Sequence, residues 1–225
     1  RNKEGITGIS AMHHINFIVL MRLLTPNLCS KLNISERFSY DNIKDLSSEE
    51  LYEIIVNDSL DGNIYIANFF FTNCPTICPI MTKNMSHVQR KLRVYPNIRF
   101  LSHTVDPIND TPERIQDYIS SLKNKNINVD LESWDFVTGD KNELYNIASH
   151  YFVNVSPDSL APGGFLHSEY FVLIDKEGRI RSGVDNNNNA VGVYDGTNDA
   201  QMKDLINDIK VLLAEYKRPI KEENE

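Results

Sequence analysis

Residues 63–71, NIYIANFFF, constrain the fold more than any other part of the chain, because Cys74, Cys78 and Pro79 follow close behind them. An unbroken apolar run rich in aromatic and β-branched side chains reads as a strand covered on both faces, as expected of a central strand in a mostly parallel sheet. Pro79 suits the first turn of a following helix, where a backbone N–H would lack an intrahelical acceptor anyway. The predicted helix covers residues 79–94 and is stopped by Tyr95-Pro96-Asn97. Both cysteines therefore fall on a strand-to-helix turn at the carboxyl end of the sheet, where open α/β folds place their sites.

The alternation continues downstream. Residues 98–105 read as a strand, 112–123 as a helix capped by Thr111, residues around 136–138 as a strand and 141–151 as a helix. A loop over 154–166, containing Pro157, Pro162, Gly163 and Gly164, leads into a strand at 170–175, the turn Lys176-Glu177-Gly178 and a strand at 179–183. Strands joined by so short a turn must be antiparallel. Residues 199–216 form an amphipathic helix with Met202, Leu205, Ile206, Ile209, Leu212 and Leu213 on one face. Parallel βα units, then an antiparallel hairpin, then a closing helix predict an α/β fold, a thioredoxin-like mixed sheet flanked by helices.

Upstream, residues 1–32 form an extension without sustained periodicity, followed by a strand-like piece at 37–40. A helix starts at Ser47-Ser48-Glu49-Glu50, continues through Leu51, Ile54 and Ile55, and precedes a turn at Asp61-Gly62. The expected domain covers 33–218, with a charged tail at 219–225; the polar run from Asn186 to Asn189 reads as a surface loop.

A chain of 225 residues, 41% hydrophobic and 24% charged, has the composition of one folded domain with appendages. Its formal net charge of −8 disfavours nucleic acid as a partner, because such binding depends on Lys and Arg neutralising phosphates. Three cysteines are too few for a disulfide framework, and two of them stand four apart, which points to redox chemistry or metal binding. The third, Cys29, is expected to be dispensable for the metal. Lipid attachment at Cys29 is an alternative, although Asn27-Leu28 lacks the small residue expected at the cleavage point. The longest apolar stretch near the start, residues 15–21, is far shorter than the roughly 20 residues of a membrane-spanning helix. The chain opens with Arg1, so a signal or anchor is expected to have been trimmed or to lie outside it.

A helix amino terminus favours the thiolate, the form that both attacks disulfides and binds metals. Redox pairs in thioredoxin-like proteins usually have two intervening residues, whereas Cys74 and Cys78 have three, which leans towards metal. Two soft thiolates suit Cu(I), and an added imidazole makes a set that also accepts Cu(II). Of the six histidines, His167 is the best placed, at the end of the Pro/Gly-containing loop and just before a strand. His87 and His150 fall on helices and His103 in a strand, where packing or surface roles are the simpler reading, and His13-His14 lie in the extension. Asp106 and Asp110 stand at a strand end beside the site, where a carboxylate can orient the histidine or meet a partner; Asp110 also suits a turn before the Thr111 cap. Phe69-Phe70-Phe71 reads as core.

The segments FFFTNCPTICPIM, LSHTVDPINDTPERI, WDFVTGD and FLHSEYFVLIDKEGRIR, with YDG downstream, resemble the Sco/SenC family of copper-delivery proteins from about Asn63 to Tyr216. The match joins CPxxCP, DPxxDTP and a histidine before a strand in the family's order. The resemblance implies copper as the metal, Cys74, Cys78 and His167 as its ligands, and assembly of cytochrome c oxidase as the purpose, with its copper-bearing subunit or another copper or thiol protein as partner. It also implies a cell-envelope location facing the periplasm and attachment to a membrane through the amino terminus. One departure is Asn109, where many members have arginine. Two other functions compete with delivery: a thiol:disulfide oxidoreductase using Cys74 and Cys78 as a dithiol, and a peroxidase relying on one activated cysteine, which a paired motif with a distal histidine fits poorly.

Overall fold

The structure is a computed structural model that describes Leu60, residues 62–184 and residues 190–217. The expectations for the amino-terminal extension, the pieces at 37–40 and 47–55, Cys29, Asp61, the asparagine run and the charged tail lie outside the described residues.

Strand β1 (Ile64–Phe70) is buried at every position, as its unbroken apolar run requires. It leads into α1 (Ile77–Leu92), β2 (Ile98–Thr104), α2 (Pro112–Asn124), β3 (Trp134–Val137) and α3 (Lys141–His150). The remaining strands are β4 (Val155–Pro157), β5 (Phe165–His167), β6 (Tyr170–Ile174), β7 (Ile180–Arg181) and β8 (Tyr194–Asp195), and α4 (Asp199–Lys217) closes the chain. The main sheet runs β3-β2-β1-β6-β7, with β8 pairing β6. β1, β2 and β3 are parallel, as βα crossovers demand, while β6 lies antiparallel to β1 and β7 antiparallel to β6. The result is the expected mixed α/β sheet flanked by helices.

Local chemistry sets the boundaries. The Thr111 hydroxyl accepts from the Arg114 N–H and Pro112 opens α2, while the Asp140 carboxylate caps α3 through the Asn142 and Glu143 N–H groups. A polar chain crosses the buried sheet: Trp134 Nε1 donates to Ser102 Oγ at 2.9 Å, which donates to Asn68 Oδ1 at 2.6 Å. It thereby satisfies buried groups on three adjacent strands. Met202, Leu205, Ile206, Ile209 and Leu212 of α4 are buried, and α4 packs against α1.

Two expectations change. Residues 154–166 are not a simple loop: β4 pairs antiparallel with β5, matching Val155 to His167 and Pro157 to Phe165. The Pro and Gly residues that signal a loop occupy the turn and one edge of this hairpin, where a strand can do without a ladder donor. His167 is consequently part of a short strand and only 6% exposed, rather than sitting at a loop end. Tyr194–Asp195 forms the short strand β8, too brief to leave a periodic signature.

Candidate metal centre

Cys74 follows β1 by four residues, its N–H donating to the Phe71 carbonyl at 3.2 Å, and Cys78 is the second residue of α1. Thr76, at the N-cap position, makes no side-chain capping bond; instead Cys74 Sγ accepts from the Cys78 N–H at 3.5 Å. A helix-start donor thus points at a sulfur, stabilising its anionic form. Thr76 Oγ1 lies 3.8 Å from the same sulfur.

The turn is fastened from behind by Asp110, which is 1% exposed. Its carboxylate accepts from the Thr72 N–H at 3.2 Å, from the Thr72 hydroxyl at 2.6 Å and from the Thr104 hydroxyl. Burial raises the Asp110 pKa, against the lowering effect of these bonds. The Asp106 carboxylate is engaged locally, accepting from the Asn109 side-chain amide at 2.8 and 3.0 Å.

β5 brings the histidine in. His167 Nε2 stands 3.3 Å from Cys78 Sγ, although 89 residues separate them, and Nδ1 stands 3.1 Å from the Ser168 carbonyl. A carbonyl only accepts, so Nδ1 carries the hydrogen and the Nε2 lone pair faces the sulfurs, the tautomer a metal-ligating imidazole needs. The donor atoms of Cys74, Cys78 and His167 all lie within 4.8 Å of one another, and this is the cluster of metal-binding type among the described residues. Ligands bonded at about 2.0–2.3 Å to one ion sit up to about 4.5 Å apart, so small side-chain rotations close the three onto a single ion.

Cys74 and Cys78 titrate as a pair. A hydrogen bond from the Cys78 thiol, with further bonds from the Cys78 N–H and Thr76, holds the Cys74 thiol well below its ordinary range against the opposing effect of burial. The same bond, together with burial and the charge on Cys74, pushes Cys78 up. The shared hydrogen bond thus drives the two thiols in opposite directions, and they titrate as one coupled unit. Both cysteines are free and buried, yet Asn73, Pro75 and Thr76 beside them are exposed, leaving one open side.

The other histidines stand elsewhere. His87 is exposed on α1 and 3.0 Å from Arg90, and His150 bonds the Asn146 carbonyl on its own helix. His103 is buried in β2 against Phe69. What the residue pattern misses is the support: Thr72 and Thr104, which flank the motifs, and Phe71, whose ring lies edge-on to His167 at 5.6 Å. The two threonines beside a buried aspartate are a legible signal only once Asp110 is known to turn inward.

The SCO1/SenC sequence family matches residues 50–200. An SCO1 protein homolog of Bacillus subtilis is 30% identical over 155 residues, 68% of this chain and 72% of its own. Among solved structures, a SCO1/SenC family lipoprotein of Bacillus anthracis is 28% identical with a TM-score of 0.58, covering 70% of this chain and 85% of its own. BsSco, described as a member of the Sco family of cytochrome c oxidase assembly proteins with a disulfide switch, is 29% identical with a TM-score of 0.53, covering 67% and 80%. Arabidopsis thaliana ScoI, solved with copper bound, shares the fold at 20% identity and a TM-score of 0.51, covering 68% and 87%. A family match over most of the described fold and a relative aligned across two thirds of both sequences lead to one conclusion: this chain belongs to the SCO1/SenC family.

Proposed function

We propose that the protein binds one copper ion through Cys74, Cys78 and His167 and delivers it to, or prepares, the copper-bearing subunit of cytochrome c oxidase. The observation that carries this reading is the 3.3 Å approach of His167 Nε2 to Cys78 Sγ within a three-donor cluster. Two thiolates are soft ligands suited to Cu(I), and a neutral imidazole adds the harder donor that lets the site accept Cu(II). Copper here is cargo, and the exposed Asn73-Pro75-Thr76 side is where a recipient would approach. Capture displaces whatever thiol proton the pair holds, since only thiolates ligate.

Delivery at the cell envelope, facing the periplasm from a membrane-attached amino terminus, is part of the same reading, supported by the lipoprotein character of the Bacillus anthracis relative. No helix among the described residues is long and apolar enough to cross a membrane. A second reading, reduction of partner cysteines by the dithiol, is favoured by the stabilised Cys74 thiolate beside Cys78.

Copper titration of wild type and His167→Ala separates the two. Cu(II), followed by absorption, should bind at least about tenfold more weakly in the variant, while Cu(I), followed with a chromophoric competitor, loses less because both thiolates remain. Under the oxidoreductase reading the substitution leaves reduction potential and turnover nearly unchanged and copper is not bound tightly. Unchanged Cu(II) binding removes His167 from the site.

A further inference from the structure

Gly163 lies in the connection between β4 and β5 with φ +84°, and a Cβ placed there would come 2.6 Å from Phe71 Cε2, 2.8 Å from its Cζ and 3.4 Å from the Asn73 carbonyl. Carbon atoms in favourable contact stand about 3.5–4.0 Å apart, so only glycine lets this connection come down onto the ring. Phe71 is itself 1% exposed and three residues before Cys74. The same ring lies 5.4 Å from Phe165 and 5.6 Å from His167, the latter edge-on at 85°. One side chain at the end of β1 thus meets the hairpin's connection, its second strand and its imidazole. The neighbouring Gly164 has nearly the same φ, +88°, but nothing within 4 Å of its Cβ position.

We propose that Gly163 and Phe71 are positioning residues: the close approach of the Gly163 backbone to the Phe71 ring registers the β4–β5 hairpin on the cysteine turn and so presets His167 as third donor before any metal arrives. The consequence for metal choice rests on the copper reading. Cys74 and Cys78 sit on one short stretch of chain and can hold Cu(I) wherever the hairpin lies, whereas Cu(II) depends on the imidazole. Lifting the hairpin by a fraction of an ångström therefore costs Cu(II) far more than Cu(I).

The glycine pair supplies its own control. Ala at either position meets a positive φ that side chains rarely adopt, but only at 163 does it also meet Phe71. Gly163→Ala should weaken Cu(II) binding about tenfold or more beyond Gly164→Ala, with Cu(I) affinity changing less than about threefold in both. Adding Phe71→Leu to Gly163→Ala, compared with Phe71→Leu alone, should recover much of the loss by giving the new methyl room. In metal-free protein the His167 ring resonance should shift in Gly163→Ala and stay in place in Gly164→Ala. Equal Cu(II) losses in the two glycine variants, or Cu(I) falling in parallel with Cu(II) in Gly163→Ala, would overturn the proposal. The metal-free resonance decides independently of copper: if wild type takes up no copper, the function falls while the shift still judges the positioning.

Discussion

His103 and His167 carry the same imidazole in opposite circumstances. His103 is fully buried in β2, stacked on Phe69 at 4.9 Å, with Nδ1 3.4 Å from the Asn68 carbonyl and Nε2 without a partner among the described residues. Burial outweighs that one bond and lowers its pKa from 6.5 to about 4. The folded protein therefore holds fewer protons than the unfolded chain between these values. Stability from this residue is complete above pH 6.5 and declines as pH falls towards 4, by up to about 3 kcal/mol. Urea unfolding from pH 7 to 4 should show this decline in wild type and a shallower one in His103→Gln; equal slopes would refute it. His167 is singled out in the sequence because it ends a loop, whereas it lies buried in a short strand with Nε2 3.3 Å from Cys78 Sγ. Phe71 reads as core and is core, but nothing in an apolar run marks which ring a distant hairpin will rest on.

Asp110 works between elements, tying the β1–α1 turn through Thr72 to the end of β2 through Thr104. Asp110→Ala leaves two hydroxyls and the Thr72 N–H without their acceptor in a buried place, at a cost of about 3 kcal/mol in denaturant unfolding. Asp110→Asn keeps an acceptor and should lose less. A loss below about 1 kcal/mol for the alanine variant would mean that Thr72 and Thr104 find other partners. The helices and long strands are legible in the sequence because caps, proline positions and periodicity act over a few consecutive residues; Thr111 and Asp140 cap α2 and α3 by such rules. The β4–β5 hairpin is not, because each strand has three residues and exists by pairing with the other.

The core spans both sides of the sheet's central strands and includes Phe69, Phe100, Trp134, Phe171 and Leu205, apolar side chains that bury one another and carry no metal-ligating atom. Folding should therefore be complete without copper, and the ion should add stability only by mass action. At a free Cu(I) concentration 100 times its dissociation constant the gain is about 2.7 kcal/mol, less whatever the unfolded cysteines bind. Chemical denaturation with and without Cu(I) measures it; loss of cooperative unfolding on chelation would show instead that metal holds the core together.

Legible from the amino-acid sequence alone are the α/β class, the order of the helices and longer strands, the strand-to-helix turn that presents two cysteines, and the three residue types able to hold a soft metal. All of these follow from interactions among near neighbours in the chain. Long-range packing sets the sheet order β3-β2-β1-β6-β7, turns Asp110 inward, buries the two thiols against each other and brings a histidine 89 residues away to 3.3 Å from Cys78. That arrival depends on β6 pairing with β1 and on a glycine backbone settling against Phe71, contacts between segments whose local patterns carry no record of each other.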